Sequence, residues 1–301
     1  MSSGIIMKGI GGFYYVLWEE AVYECKARGI FRKDDIVPLP GDTVEISIID
    51  SEKRIGSIDK IYPRISRLVR PAVSNVDQVV VIISVNSPEP DFLLLDKLLV
   101  TSEKDNINAI ICINKIDLDI SREHEKIVEN YSKAGYKLIL TSLKTKVGID
   151  DFRQALKGRI SVFAGQSGVG KSTILNTIMD TFVMKTGTLS EKIGRGKHTT
   201  RHAELIPLVD GGYIVDTPGF STFELLDIDY KDLQNYYHEF CDFKDNCRFT
   251  GCSHVNEPDC RVKDEVNSGS ISKERYERYV ELFFYLKRID EMKYKKTDKG
   301  R

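Results

Sequence analysis

The sequence has no long apolar run. Hydrophobic residues make up 41% of its 301 positions, yet no stretch approaches the roughly 20 consecutive apolar residues that span a bilayer. It also lacks a recognisable leader. Residues Met1 to Gly12 carry one Lys and a short mixed run, which is not a signal peptide, so the chain is expected to be cytoplasmic and without a membrane partner. It lacks a surplus of either charge. Its 44 Lys and Arg face 45 Asp and Glu, a net of −1, so no global field draws it to nucleic acid and any RNA contact has to come from local clusters. Cysteine is sparse, at six residues, which in a cytosolic chain argues against a disulfide framework. Internal repeats and low-complexity tracts are missing too. What remains is an ordinary globular composition, long enough for two or three domains that each bury a core.

Four of the six cysteines fall between Cys241 and Cys260. The run Cys247-x4-Cys252-x-His254-x5-Cys260 offers three thiolates and one imidazole within 14 residues. That donor set predicts one structural Zn2+, tetrahedral and with no open position for water. Few apolar residues lie nearby, so zinc is expected to supply most of the local folding energy. Cys241 is spare, and Asp242 and Asp259 are poor ligands beside four nitrogen and sulfur donors. Cys25 and Cys112 read as core or strand residues.

Residues 1 to 68 read as short strands, with Phe13–Leu17, Val22–Lys26 and Thr43–Ile49 as candidates and glycine-rich turns between them. They suggest a small barrel such as the oligonucleotide-binding (OB) fold, or another small β-domain without a ligand. Arg64, Arg67 and Arg70 with Pro63 and Pro71 read as a solvated linker. From there the pattern alternates between strands and helices. Val79–Val85 is a continuous apolar run, followed by a helix near 91–104 and strands at Ala109–Ile113, Leu138–Leu140, Ile160–Ala164, Ala203–Ile206 and Gly212–Val215. This predicts a doubly wound α/β domain over 69–226. A third domain, 227–301, holds the cysteine cluster and a helix on which Tyr276, Tyr279, Val280, Phe283, Phe284 and Leu286 recur at helical spacing. Its basic tail from Lys293 is expected to fray.

The α/β region carries nucleotide chemistry. Gly165, Gln166, Ser167, Gly168, Val169, Gly170, Lys171, Ser172 and Thr173 form a phosphate loop between a strand and a helix. Its glycines let successive N–H groups face phosphates, and Lys171 can neutralise the β- and γ-phosphates. Asn114, Lys115, Ile116 and Asp117 lie at a strand end. Asp117 can accept from both guanine N1–H and the exocyclic amine, a donor pair that adenine lacks. The stem of Lys115 can lie over the ring, and Ser142 ends the next strand, where its loop could reach the base oxygen. Asp216-Thr-Pro-Gly219 follows a further strand. Ser172, Asp216 and Thr200 (or Thr199) are candidate Mg2+ ligands, and the Gly219 N–H would sense the γ-phosphate. The cationic stretch Gly194–His202 reads as a switch loop. Phe220 stands where many regulatory GTPases place a glutamine that orients water, so intrinsic hydrolysis should be slow, with His198, and less so His202, as the candidate catalytic group.

These motifs occur in a permuted order, with the base-reading residues before the phosphate loop. The second switch therefore leads directly into residues 227–301, and γ-phosphate contact at Gly219 is expected to bias the orientation of that segment. The permuted order, the GQSGVGKS loop, KHTTRH, DTPGF and the cysteine pattern together resemble the RsgA family of bacterial GTPases, over essentially the whole chain. That resemblance implies an OB-fold β-barrel, a circularly permuted P-loop GTPase domain and a zinc-binding helical domain. It also implies a GTPase that acts, and is stimulated, on the small (30S) ribosomal subunit late in its maturation, as a checkpoint or release factor. GTP and GDP, 16S ribosomal RNA, Mg2+ and one Zn2+ would be its ligands and partners, and the protein would act as a monomer. Local cations such as Lys192, Arg195, Lys197 and Arg201 could meet the RNA.

Overall fold

The computed structural model describes residues 3–29, 31, 36–186, 203–216 and 228–298. The N-terminal strands are β1 (Gly4–Ile10), β2 (Phe13–Trp18), β3 (Ala21–Ala27), β4 (Thr43–Asp50) and β5 (Ile55–Ile61). They pair in the order β1-β2-β3-β5-β4, and β4 returns to β1, so the sheet closes into a five-stranded barrel of OB type. A register shift between Ile6 and Lys8 bends β1, which serves both β2 and β4. Ile6, Val16, Tyr23, Cys25, Phe31, Val44 and Ile58 fill the interior.

The arginine-rich stretch is not a solvated linker. It folds back as the short hairpin β6 (Arg67–Leu68) and β7 (Val73–Ser74). Arg64 grips the buried Asp42 carboxylate with Nε and Nη2, both at 2.7 Å, and Ser74 Oγ donates to Asp42 at 2.6 Å. Of the three arginines, Arg67 and Arg70 are exposed. Arg64 supplies the charged partner that offsets burial of this carboxylate, and Leu39 N also donates to it at 2.8 Å.

The α/β layer runs β8 (Gln78–Ser84), α1 (Phe92–Lys104), β9 (Asn108–Asn114), α2 (Glu123–Lys133), β10 (Lys137–Leu140), α3 (Ile149–Leu156), β11 (Ile160–Ala164), α4 (Lys171–Thr186), β12 (Glu204–Pro207) and β13 (Tyr213–Asp216). Its strand order is β10-β9-β8-β11-β13-β12, parallel except for β12. Every residue of β8 and of β11 is buried, because helices cover both faces. The phosphate-loop strand β11 lies between β8 and β13, so the sheet is assembled as one unit although its motifs are out of order along the chain. Lys8 of β1 pairs with Glu204 of β12, which joins the barrel to the sheet edge.

The C-terminal segment begins with three 3-10 turns, Leu233–Tyr236, His238–Phe240 and Lys244–Asn246. After the cysteine loop come α5 (Arg261–Ser268) and α6 (Lys273–Asp298). Its core departs from expectation. Leu233, Tyr237, Phe240, Val262, Tyr279, Leu282, Phe283 and Leu286 form a buried cluster, so zinc does not stand in for a missing core. The apolar residues come from both sides of the cysteine loop, where no local pattern shows them together. Phe284 is 41% exposed, one position off the buried stripe of α6. The helix runs to Asp298, into the tail expected to fray.

Candidate active site and metal centre

The phosphate loop leaves β11 with Gly165 at φ 132°, then Gly168 at 84° and Gly170 at 102°. Positive φ at these positions is open to glycine and curls the loop so that amides face inward. A Cβ at Gly165 would lie 2.1 Å from Ile82 O, and one at Gly170 would lie 2.5 Å from Asn114 Nδ2. The loop enters α4 directly, with Ile174 N donating to Gly170 O at 2.8 Å, so the positive end of the helix lies behind it. Lys171 Nζ donates to Gly165 O at 2.6 Å and to Gln166 O at 2.7 Å, which holds its ammonium across the loop. Burial pulls its pKa below the usual lysine value. Ser167, Ser172 and Thr173 are exposed.

Residues 114–117, expected to read the base, meet this loop. Asn114, 1% exposed at the end of β9, donates from Nδ2 to Val169 O at 2.9 Å and accepts from Thr141 Oγ1 at 3.1 Å. Lys115 takes a left-handed conformation, and its Nζ donates to Gly168 O at 2.8 Å and to Ser87 O at 2.5 Å. Its stem is thereby stretched between the two motifs. Ile116 N donates to Thr141 O at 3.3 Å. Ser142 Oγ donates to Asp117 Oδ1 at 2.6 Å and accepts from Thr145 N at 3.1 Å, so this hydroxyl orients the carboxylate. Asp216 closes β13, beside β11 in the parallel ladder, and so stands at the same sheet end as the phosphate loop. His198, Thr199, Thr200, His202, Gly219 and Phe220 lie outside the described residues.

Sequence reasoning missed the segment 85–91. Ser84 Oγ donates to Pro88 O, Asn86 Nδ2 donates to Leu118 O at 2.9 Å, and the Pro88 ring lies 3.6 Å from where a Cβ on Gly168 would be. No motif marks these contacts in the sequence.

In the C-terminal segment, the donor atoms of Cys247, Cys252, His254 and Cys260 all lie within 4.8 Å of one another. His254 Nδ1 is 3.5 Å from the Cys247 sulfur and 3.3 Å from that of Cys260. Its Nε2 is 2.7 Å from Gln234 Oε1, an acceptor that fixes the proton there and leaves Nδ1 free to ligate. Burial holds the imidazole down at about 4, so it is neutral. Burial likewise pushes the Cys252 thiol up to about 12, so a cation has to offset its ionisation. Glu257 ties the knuckle together, accepting from Ser253 N at 2.8 Å, Ser253 Oγ at 2.7 Å and Val255 N at 3.1 Å. Gln234 carried no sequence signal, because it lies in a separate turn. Cys241 stands outside the cluster.

Known proteins resemble this chain in sequence and fold. A family model described as RsgA GTPase matches residues 61–226, and one described as RsgA N-terminal domain matches 3–57. The small ribosomal subunit biogenesis GTPase RsgA of Ruminiclostridium cellulolyticum is 56% identical over 304 residues, covering 100% of this chain and 99% of that protein. Its counterpart from Agathobacter rectalis is 48% identical over 95% of this chain and 98% of its own length. Among solved structures, YjeQ from Thermotoga maritima aligns with a TM-score of 0.83 at 38% identity, covering 95% of this chain and 98% of that one. YloQ, a circularly permuted GTPase, aligns at 0.79 with 38% identity, covering 95% of this chain and 94% of its own.

Proposed function

Because the chain belongs to the RsgA family and is a GTPase, we propose that it acts on the small ribosomal subunit late in its maturation, with hydrolysis stimulated by that subunit and gating release from it. The subunit role rests on the likeness to the small ribosomal subunit biogenesis GTPase RsgA of Ruminiclostridium cellulolyticum, and the nucleotide site on the seam between the motifs, where Asn114 Nδ2 meets Val169 O at 2.9 Å and Lys115 Nζ meets Gly168 O at 2.8 Å. In this reading one pocket takes both the base and the phosphates.

Asp117, held by Ser142, selects guanine, and residues 165–173 hold the phosphates. Lys171 leaves its two loop carbonyls to neutralise charge on the β- and γ-phosphates. Ser172, Asp216 and Thr200 would hold Mg2+, and the first two come from the phosphate loop and from β13, which meet at one end of the sheet. When bound, the ion neutralises charge as the phosphoryl group transfers. His198 orients the attacking water or the subunit supplies the group that does, because Phe220 cannot. Cys247, Cys252, His254 and Cys260 hold one structural Zn2+, consistent with four clustered donors and the Gln234 support.

We take 1–68, 69–226 and 227–301 as the three domains. Barrel and zinc domain flank the GTPase and supply contacts to 16S ribosomal RNA. Among the described residues no helix is long and apolar enough to cross a membrane; action as a monomer in the cytoplasm is part of the proposal.

The test is turnover of GTP with and without purified small subunits, with ATP as control. Slow turnover of GTP alone, a rise of at least tenfold with subunits and none with ATP is expected. No response to subunits would leave a GTPase without this role.

A further inference from the structure

Helix α1 is buried on two sides. Leu95, Leu98 and Leu99 pack into the α/β core, while Leu93 and Val100 pack against the C-terminal cluster. Asp96 and Glu103 extend that second stripe, at a spacing that keeps 93, 96, 100 and 103 on one helix face. Asp96, 0% exposed, accepts from Arg275 Nη1 at 2.6 Å, from Tyr131 OH at 2.9 Å and from Arg278 Nε. Arg275, 1% exposed, also grips Glu239, and its guanidinium lies 4.9 Å from the Tyr131 ring centre and 5.0 Å from that of Tyr237. Two carboxylates and two guanidinia balance within this joint. Farther along the stripe, His238 Nε2 meets Glu103 Oε2 at 2.5 Å.

The two ends of α1 lead to the two sites. Before its N-cap, Asp91, runs the segment pinned by Lys115 at Ser87 O and set against Gly168 of the phosphate loop. Its second stripe packs on the turn Leu233–Tyr236, which carries Gln234, the partner of His254. Both faces of the helix are packed, and the exposed loop 86–91 before it is tied down where Asn86 Nδ2 donates to Leu118 O and Lys115 Nζ donates to Ser87 O.

We infer that α1 couples the phosphate loop to the metal centre, so that nucleotide in the loop and zinc in the C-terminal segment each strengthen retention of the other. Asp96, Arg278 and Glu103 are the positioning residues. The path is separate from the one expected through Gly219, and it uses described residues throughout. It rests on the two ligand assignments proposed above, and by linkage it must work in both directions.

The test uses the full chain. Zinc content and affinity for a fluorescent GDP are measured first, followed by the rate of zinc loss to a chromogenic chelator with and without saturating GDP. In the wild type GDP slows zinc loss about fivefold or more and zinc removal weakens GDP binding, the equilibrium affinities of the two ligands changing by one common factor. Arg278→Met keeps both ligands but brings the factor close to one. Glu103→Gln, at the less buried end of the joint, gives a second reading if the first variant does not fold. Equal rates with and without GDP in the wild type, or an undiminished factor in both variants, overturn the inference while leaving the two sites in place. A wild type that holds no zinc or no GDP overturns it together with those assignments.

Discussion

At the scale of the residue, the proposed choice of base rests on Asp117. Its carboxylate has two acceptors, and Ser142 Oγ, 2.6 Å away, fixes their direction. Asp117→Asn replaces one acceptor with a donor that opposes the guanine amine. GDP affinity should fall about a hundredfold or more, and a nucleotide of xanthine, which carries a carbonyl at that position, should gain. Ser142→Ala, which removes only the orienting bond, should cost about tenfold or less. Titration with fluorescent nucleotides measures both, and a D117N protein that binds GDP as before would remove Asp117 from the site. These residues were legible in the sequence because the chemistry demands fixed residue types at fixed spacing. Their supports were not. Ser87 offers only a backbone carbonyl, which any residue could supply, and Gln234 lies 20 positions from the His254 that it orients.

At the scale of the element, strands buried on both faces announced themselves. The run Val79–Val85 falls almost wholly in β8, and Ile160–Ala164 coincides with β11. Strand β1 gave no such sign, because its bulge breaks the alternation and it serves two neighbours. The arginine-rich stretch misled for a different reason. Arg64 and Asp42 are 22 residues apart, and their pairing is visible only once the barrel has closed. The metal element carries a prediction. Because Tyr237, Phe240, Tyr279 and Leu282 form a core beside it, chelation should loosen residues 247–260 but leave α6 folded. Hydrogen exchange should show protection lost across the cysteine loop and kept at Leu282 and Phe283. Loss of protection throughout 228–298 would return zinc to the dominant role expected from sequence.

At the scale of the whole molecule, permutation changes what the GTPase sheet is joined to while leaving its strand order intact. The barrel is attached at β12, the strand that follows the switch segment in sequence. The joint is held mainly by apolar burial. Leu205 is 1% exposed in a cluster with Met7, whereas the Lys8–Glu204 pair has side chains 33% and 46% exposed. Leu205→Ala should therefore cost about 2–4 kcal/mol of stability and Lys8→Ala less than about 1 kcal/mol, measured by denaturant unfolding. Equal costs would shift the joint to electrostatics. The fold class was legible from the changes of periodicity, but the seating of the C-terminal segment on α1 was not. It depends on pairs such as Asp96 and Arg275, 179 residues apart.

The central claim is that motifs reversed along the chain form one guanine-selective pocket. Competition against a bound fluorescent GDP tests it most directly. GDP and GTP should displace the probe at stoichiometric to micromolar levels, while ATP should fail at about a thousandfold excess. Displacement by ATP as readily as by GTP would contradict the account, as would a protein that takes up no probe at all.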